Sequence, residues 1–266
     1  MPLAQSGDVT IHWQDWGQGR PLLLIMGFGQ TGEMWKPVLP YFSDLRSVYF
    51  DNRGTGGSSR PASGYSVADM AADALAVMDA AGLESAHIYG VSMGGMIAQQ
   101  LVLDHPDRVD RLVLGCTSAG GPRSHFPDPT VLADMVSGTE AMTTDPDTAA
   151  DKLLPLLFTP EFIEANPAIR EFMKLSISQD PIPAETPSRV MAELAAFDVS
   201  ARLGEIDCPT LIVHGDRDSL LPVENGRELA KRIKGSLYHE IAGAGHAYMV
   251  QDPDVVNTAV AEFLRG

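Results

Sequence analysis

Short segments that are apolar on both faces recur along this chain and constrain its fold more than any other feature. The first spans residues 21–26, and four more follow at residues 47–51, 87–91, 111–116 and 210–214. A strand without polar alternation is typical of a parallel sheet that helices cover on both sides. Residues 9–16 alternate apolar and polar side chains instead, as a half-buried strand does. The chain is therefore predicted to build a central, mostly parallel sheet.

Helical patterns lie between these segments. One apolar stripe, at helical spacing, consists of Val67, Met70, Ala71, Ala74, Val77, Met78 and Ala81. Ser66 with Asp69 resembles a capping box, and Gly82 is a stop signal. Further helices are predicted from about residue 93 to residue 104 and from Pro253 onward, with Asp252 as the capping residue. Strands that alternate with helices predict an α/β fold with helices on both faces of the sheet.

This alternation breaks between residue 119 and about residue 199. The stretch is rich in proline, has short helical patterns at residues 167–177 and 188–197, and has no convincing strand. We interpret it as an inserted helical cap. The predicted division is residues 1–118 for the first part of the α/β core, 119–199 for the cap and 200–266 for the second part of the core. The cap carries 13 acidic and 5 basic residues.

Charge and composition exclude several classes of partner. With 35 acidic and 19 basic residues the net charge is −16, so nucleic acids and anionic membranes are predicted not to be partners. No apolar run is long enough to cross a bilayer, and the first twenty residues lack the features of a signal peptide. A cytoplasmic protein is expected. The two cysteines, Cys116 and Cys208, form no disulfide framework and are expected to be buried thiols. A homo-oligomer is left open.

The motif Gly-x-Ser-x-Gly occupies residues 90–94, directly after a predicted strand and at the start of a predicted helix. A sharp turn from strand to helix projects the serine hydroxyl from the edge of the sheet. Small residues on both sides keep such a turn free of clashes. Ser92 is therefore the candidate nucleophile.

A serine hydroxyl needs a base that an acid holds in place. Of the seven histidines, His246 is the candidate base, because it lies in a loop of small residues between a strand-like segment and the last helix. Two acids, Asp216 and Asp218, follow the strand at residues 210–214. Asp218 is preferred as the orienting acid, whereas Asp216 is expected to bind backbone N–H groups of the turn.

Negative charge on a substrate oxygen requires hydrogen-bond donors. The backbone N–H groups of Met93, after the nucleophile, and of Phe28, in the loop after the first apolar strand, are the candidates for an oxyanion hole.

Five motifs in order resemble those of the α/β-hydrolase superfamily: residues 26–29, 51–58, 90–95, 215–218 and 245–246. The resemblance spans nearly the whole chain and implies an α/β-hydrolase fold. It also implies that residues 51–58 form a structural turn beside the oxyanion loop. One departure is Met26, where many relatives have histidine, so support for that loop has to come from another group.

Residues 70–99, and especially residues 90–99, are similar to the corresponding segment of carboxylesterases and 3-oxoadipate enol-lactonases. Haloalkane dehalogenases and related epoxide hydrolases carry an aspartate as nucleophile at this strand-to-helix turn, so Ser92 argues against both families. The same scaffold hosts cofactor-free perhydrolases, carbon–carbon bond hydrolases and hydroxynitrile lyases, and outside enzymes it serves some ligand receptors. No pair of histidines lies two to four residues apart, and no dinucleotide or phosphate motif is present, so no metal and no cofactor is predicted.

The charge of the cap gives a discriminator between substrates. A lactone with a free carboxylate needs a local cation, and the cap offers few: Arg123, Lys152, Arg170, Lys174 and Arg189. The sequence therefore favours a serine esterase that acts on small or medium, fairly apolar esters. The alternatives are a lactonase of the 3-oxoadipate enol-lactonase type, a cofactor-free perhydrolase or a carbon–carbon bond hydrolase and, outside enzymes, a ligand receptor.

Overall fold

A single mixed sheet lies at the centre of the computed structural model, which describes residues 2–179 and 185–266. Its strands in the described part of the chain are β1 (Leu3–Ser6), β2 (Val9–Trp16), β3 (Arg20–Ile25), β4 (Leu45–Phe50), β5 (Ala86–Val91), β6 (Val109–Gly115), β7 (Thr210–Gly215) and β8 (Leu237–Ile241). Their order across the sheet is β1-β2-β4-β3-β5-β6-β7-β8. β2 runs antiparallel to both of its neighbours, and all other pairs are parallel.

Helices follow most of the parallel strands. Those in the described residues are α1 (Val67–Ala80), α2 (Met93–Asp104), α3 (Pro129–Ala141), α4 (Pro146–Leu157), α5 (Pro160–Ala165), α6 (Ala168–Gln179), α7 (Thr186–Ala196), α8 (Glu224–Arg232), α9 (Tyr248–Gln251) and α10 (Pro253–Arg265). None of them is both long enough and apolar enough to cross a membrane.

The two faces of the sheet each bury an apolar layer, as segments apolar on both sides require. Leu23 and Ile25 of β3 pack into one cluster with residues of α1, α2 and α8. Leu22 and Leu24, which alternate with them, pack into a second cluster with α10 and with the segment that contains Trp35. The predicted α/β fold with helices on both faces is confirmed.

The first helix follows the predicted pattern closely. All seven residues of the predicted stripe are buried. Ser66 accepts a hydrogen bond from the backbone N–H of Asp69, and the Asp69 carboxylate accepts one from the backbone N–H of Ser66, so the capping box is present. Gly82 has φ +70°, which ends the helix. Asp73 is also buried, which the apolar stripe does not predict. Its carboxylate forms an ion pair with Arg53 at 2.6 Å.

The last helix begins where the sequence predicts, with Pro253 in its first turn. Asp252 occupies the position before it, but the Asp252 side chain makes no capping hydrogen bond. The predicted cap by this side chain is therefore wrong, although the helix boundary is right. Val256 and Val260 are fully buried as expected, which anchors α10 against the sheet.

Residues 119–199 contain five helices, α3 to α7, and no named strand among the residues that the structure describes. Residues from the α3–α4 and α6 region form an apolar cluster of their own, separate from the two layers of the sheet. The backbone N–H of Val199 donates to the carbonyl oxygen of Ala119 at 2.9 Å, so the two ends of the segment lie side by side. These features support an inserted cap; the division at residues 118/119 and 199/200 stays a prediction, and residues 180–184 lie outside the described residues.

Candidate active site

Ser92 lies at the turn between β5 and α2 with φ 56° and ψ −123°, a conformation that non-glycine residues rarely adopt. Such backbone strain costs about 1–3 kcal/mol and is typical of functional sites. A Cβ atom added at Gly90 would clash with the carbonyl oxygen of Gly94, and one added at Gly94 would clash with that of Ile25. The glycines of the motif are therefore steric requirements of this turn.

The end of β6 holds the turn from below. The backbone N–H of Ser92 donates to the carbonyl oxygen of Gly115 at 2.8 Å, and the Thr117 hydroxyl donates to the carbonyl oxygen of Ser92 at 2.8 Å. Ser92 as a whole is partly exposed. The position of the serine is thus fixed by backbone contacts rather than by its own side chain.

Asp218 and His246 come together from the loops that follow β7 and β8. The Nδ1 atom of His246 lies 2.7 Å from Oδ2 of Asp218, within hydrogen-bond distance. The Asp218 side chain is fully buried, and that of His246 is 8% exposed. Oδ1 of the carboxylate accepts the backbone N–H groups of Leu220 and Leu221, each at 2.9 Å. This loop therefore presents one carboxylate oxygen to the imidazole.

The carboxyl group of Asp218 stays ionised in this environment. Burial by itself raises its pKa, but the charge of His246 and the contacts with His214 and His246 act in the opposite direction. The result is a pKa well below the ordinary value of aspartate. An ionised carboxylate is what is needed to stabilise a protonated imidazole.

Cys116 lies between the turn that contains Ser92 and the pair formed by Asp218 and His246. It directly follows Gly115, and its Sγ atom, a carboxylate oxygen of Asp218 and a ring nitrogen of His246 lie within 4.8 Å of one another. The structure therefore brings Ser92, Asp218 and His246 to one region at the carboxyl ends of the parallel strands. Within the described residues, no hydrogen bond joins the Ser92 hydroxyl to His246. Such contacts are often long in free enzymes and tighten when substrate binds.

A metal ion could fit between Cys116, Asp218 and His246, whose potential ligand atoms lie within 4.8 Å of one another. Burial and the nearby charge of Asp218 raise the pKa of the Cys116 thiol well above its ordinary value. A cysteine binds a metal as the thiolate, so this environment disfavours metal binding.

Cys116 is buried as expected, whereas Cys208 is only partly buried, contrary to the sequence expectation.

The loop after β3 lies directly against Ser92, the candidate nucleophile. A Cβ atom added at Gly27 would be 3.2 Å from Cβ of Ser92, so a larger residue would have to push Ser92 aside by a few tenths of an ångström. Phe28, the next residue, is half-buried. Met93 is the first residue of α2, where a backbone N–H has no partner within the helix. Both predicted oxyanion donors therefore belong to segments that flank Ser92.

Asn52 supplies the support that Met26 cannot give. It is 2% exposed, and its side-chain amide donates to the carbonyl oxygen of Met26 at 2.9 Å. The resemblance implies only a structural turn for residues 51–58 and does not predict this contact. The signal for it in the sequence is an amide side chain just after a strand. Asp51 adds to it, because its Oδ1 accepts the backbone N–H of Gly32 at 2.8 Å.

The other candidates have structural contacts. Asp216, the competing acid, accepts the backbone N–H of Gly243 at 2.7 Å. His12 lies 2.7 Å from Asp51 in the interior, and His87 is buried with no partner for either ring nitrogen within the described residues. Tyr248, two residues after His246, shares a hydrogen bond of 2.9 Å with Tyr89 of β5. That last contact, between the histidine loop and the strand that leads to Ser92, is one that sequence reasoning missed.

Comparison with known proteins identifies the family to which this architecture belongs. Residues 20–253 match the model of the alpha/beta hydrolase fold family. A RutD protein of Azorhizobium caulinodans, provisionally named a carbamate hydrolase, is 31% identical over 99% of this chain and 98% of its own length.

Solved structures agree with this match. The enol-lactonase of Burkholderia xenovorans superposes with a TM-score of 0.86 at 25% identity, covering 100% of both chains. A thermophilic esterase of Thermogutta terrifontis superposes with a TM-score of 0.84 at 26% identity, covering 99% of this chain and 97% of its own. The chain is therefore a hydrolase that belongs to the α/β-hydrolase fold family.

Proposed function

We propose that the protein is a serine hydrolase that cleaves carboxylic esters through an acyl-enzyme intermediate. The observation that carries this proposal is the buried hydrogen-bonded pair of Asp218 and His246, 2.7 Å apart, in the same region as a serine with strained backbone at a strand-to-helix turn. A hydroxyl, a carboxylate and an imidazole are the groups that acyl transfer requires, and in this chain they follow one another in that order.

In the proposed reaction, His246 takes the proton of the Ser92 hydroxyl as the oxygen attacks the ester carbonyl. The backbone N–H groups of Phe28 and Met93 stabilise the oxyanion of the tetrahedral intermediate. His246 then protonates the leaving alcohol, and an acyl group remains on Ser92. A water molecule, deprotonated by His246, releases the acid and restores the serine.

Asp218 has two roles in this scheme. Its Oδ2 accepts a hydrogen bond from the Nδ1–H group of His246, which leaves Nε2 as the basic nitrogen for the serine. Because the pKa of Asp218 lies below the ordinary range, the carboxylate stays charged and stabilises the imidazolium that forms during each step.

Ion pairing within the cap supports a neutral substrate. Lys152 pairs with Asp134, and Lys174 pairs with Asp147. Arg170 pairs with two acids of α4 and with its neighbour Glu171 on α6. Three of the five cap cations are therefore neutralised by the cap itself. A carboxylate-bearing lactone would have to compete for them. This favours small or medium, fairly apolar esters, with lactones that lack a free carboxylate as the nearest alternative.

A second candidate is the hydrolysis of carbamates. It is favoured by the likeness to the RutD protein over 99% of the chain. The same groups would serve this reaction, because attack of Ser92 on a carbamate carbonyl gives a carbamoyl-serine in place of an acyl-serine. The leaving group and the rate of the second step would differ, and the triad would not.

The experiment compares the wild type with Ser92→Ala on p-nitrophenyl acetate, p-nitrophenyl butyrate, a neutral γ-lactone and a p-nitrophenyl carbamate. We expect ester turnover by the wild type and a loss of at least about 10³-fold in kcat for Ser92→Ala. Ser219→Ala, which removes an exposed hydroxyl from the loop of Asp218, is the matched control and should keep full activity.

Undiminished ester hydrolysis by Ser92→Ala would contradict the mechanism. Turnover of the carbamate alone would select the second candidate. Absence of turnover on every substrate, with tight ligand binding retained, would contradict an enzymatic role and favour a receptor.

A further inference from the structure

A second histidine, His214, lies against the carboxylate of Asp218. It is on β7, one residue before the strand ends, and its side chain is fully buried. Its Nε2 atom is 2.8 Å from the carbonyl oxygen of Leu221 and 3.3 Å from Oδ2 of Asp218. A carbonyl oxygen can only accept, so Nε2 carries the proton. The N–H group of His214 therefore faces two acceptors, one of which is the carboxylate.

The opposite side of the ring confirms this orientation. Nδ1 of His214 has no hydrogen-bond partner within the described residues. It lies against α8, where a Cβ atom added at Gly226 would be only 2.6 Å away. The ring is thus wedged between α8 and the Asp218 loop, with only its Nε2–H group satisfied.

Both histidines meet the same carboxylate oxygen. Oδ1 of Asp218 is engaged by two backbone N–H groups, whereas Oδ2 lies 2.7 Å from His246 and 3.3 Å from His214. The partial positive charge of the second N–H group reduces the negative potential that the carboxylate presents to the first histidine. The hydrogen bond from His214 to Leu221 also joins the end of β7 to the loop that contains Asp218.

We propose that His214 is a positioning residue that holds the Asp218 loop and moderates the basicity of His246. This inference rests on the proposed function, because it assigns His246 the role of base.

The other titratable groups around Asp218 and His246 keep their charge state near neutral pH when His214 is replaced. Cys116, from the end of β6, and Tyr248, from α9, are buried, and burial raises the pKa of both well above the ordinary value, so they stay neutral. Glu240 of β8 is paired with Arg227 at 2.8 Å. A change in the titration of His246 therefore reports the loss of His214 itself.

The test is the pH dependence of kcat/KM for p-nitrophenyl butyrate in His214→Phe, which keeps a buried planar ring and removes the N–H group. Without that group Asp218 attracts the imidazolium more strongly. The acidic limb of the profile should then move up by about half a pH unit, and kcat at the plateau should fall about tenfold.

Three further variants make the result specific. His214→Gln places an amide nitrogen the same number of bonds from Cβ as Nε2, and should restore the limb. His214→Asn places its amide at the position of Nδ1, and should not. His87→Phe, which replaces another buried strand histidine that has no ring partner within the described residues, should leave the limb in place.

An unmoved limb in His214→Phe, in an enzyme that hydrolyses the ester, would overturn the inference and leave the proposed function intact. If the wild type hydrolyses no ester, the proposed function fails, and NMR titration of the His246 ring in the same variants provides the readout without substrate. An equal titration midpoint in wild type and His214→Phe would then overturn the inference separately.

Discussion

At the scale of single residues, buried polar side chains position the loops of the candidate site. Asn52 shows this most directly, because its amide donates to the carbonyl oxygen of Met26 at the base of the loop that contains Phe28. Oδ1 of Asn52 is buried without a partner in the described part of the structure. The contact with Met26 is thus the feature that offsets burial of this amide.

Replacement of Asn52 by Leu tests this role. The buried carbonyl of Met26 loses its donor, which costs about 1–3 kcal/mol of stability, and the loop that presents Phe28 is released. We expect kcat for ester hydrolysis to fall about tenfold with little change in KM. Steady-state kinetics and urea unfolding measure the two effects.

Ser47→Ala is the control, because the Ser47 hydroxyl is buried with no partner within the described residues and its removal leaves no group unsatisfied. Equal kinetics for Asn52→Leu and Ser47→Ala would contradict the role assigned to Asn52.

At the scale of elements, the two helices with the clearest start signals differ in how they are capped. α1 has a complete capping box formed by Ser66 and Asp69. α10 begins with Pro253 in its first turn, and the Asp252 side chain before it makes no capping bond. The first helix therefore depends on its capping side chain, whereas the last depends on proline and on the burial of Val256 and Val260.

This difference gives a prediction about stability. Ser66→Ala should lower the free energy of unfolding by about 1 kcal/mol, because it leaves the backbone N–H of Asp69 without its acceptor. Asp252→Ala should have a smaller effect. Urea unfolding followed by circular dichroism measures both, and an equal or larger loss for Asp252→Ala would refute the assignment.

At the scale of the whole molecule, ionised carboxylates link distant parts of the chain. Asp218 joins the loops after β7 and β8, and the ion pair of Asp104 with Arg202 at 2.9 Å joins α2 to the segment that follows the cap. Burial raises the pKa of both carboxyl groups, but their partners outweigh it and hold each pKa below the ordinary value.

The sign of the pH dependence follows. A carboxyl group whose pKa is lower in the folded state stabilises the protein above the pKa of the unfolded chain, about 3.9 for aspartate, and this stability is lost as pH falls toward the folded pKa. The wild type should therefore exceed Asp218→Asn in unfolding free energy at pH 4.5, and this difference should narrow steadily toward pH 2.5. Urea unfolding across this range measures it, and a constant difference would contradict the coupling.

The sequence predicts much of the fold because its signals are local. The strands at residues 21–26 and 87–91, the helix after Ser66 and the turn at Ser92 all depend on neighbours a few positions apart, and each appears within one or two residues of its predicted bounds. The sequence predictions were wrong or incomplete for polar side chains, since the predicted cap by Asp252 is absent and the burial of Asp73 was not predicted. Asp73 is buried because Arg53, twenty positions away, reaches it, and no local pattern announces such a pair.

For the candidate site, the sequence by itself determined the candidate residues for the proposed chemistry, since the predicted nucleophile, acid and base each follow a strand and the carboxyl ends of parallel strands meet at one edge of a sheet. Only the tertiary structure decided what surrounds them. Cys116, His214 and Asn52 contact the site through space, across sheet neighbours and packed helices, and these contacts depend on distances between side chains rather than on spacing along the chain. Pattern along a chain encodes periodicity and turns, whereas the electrostatic environment of a buried carboxylate exists only once the chain has folded around it.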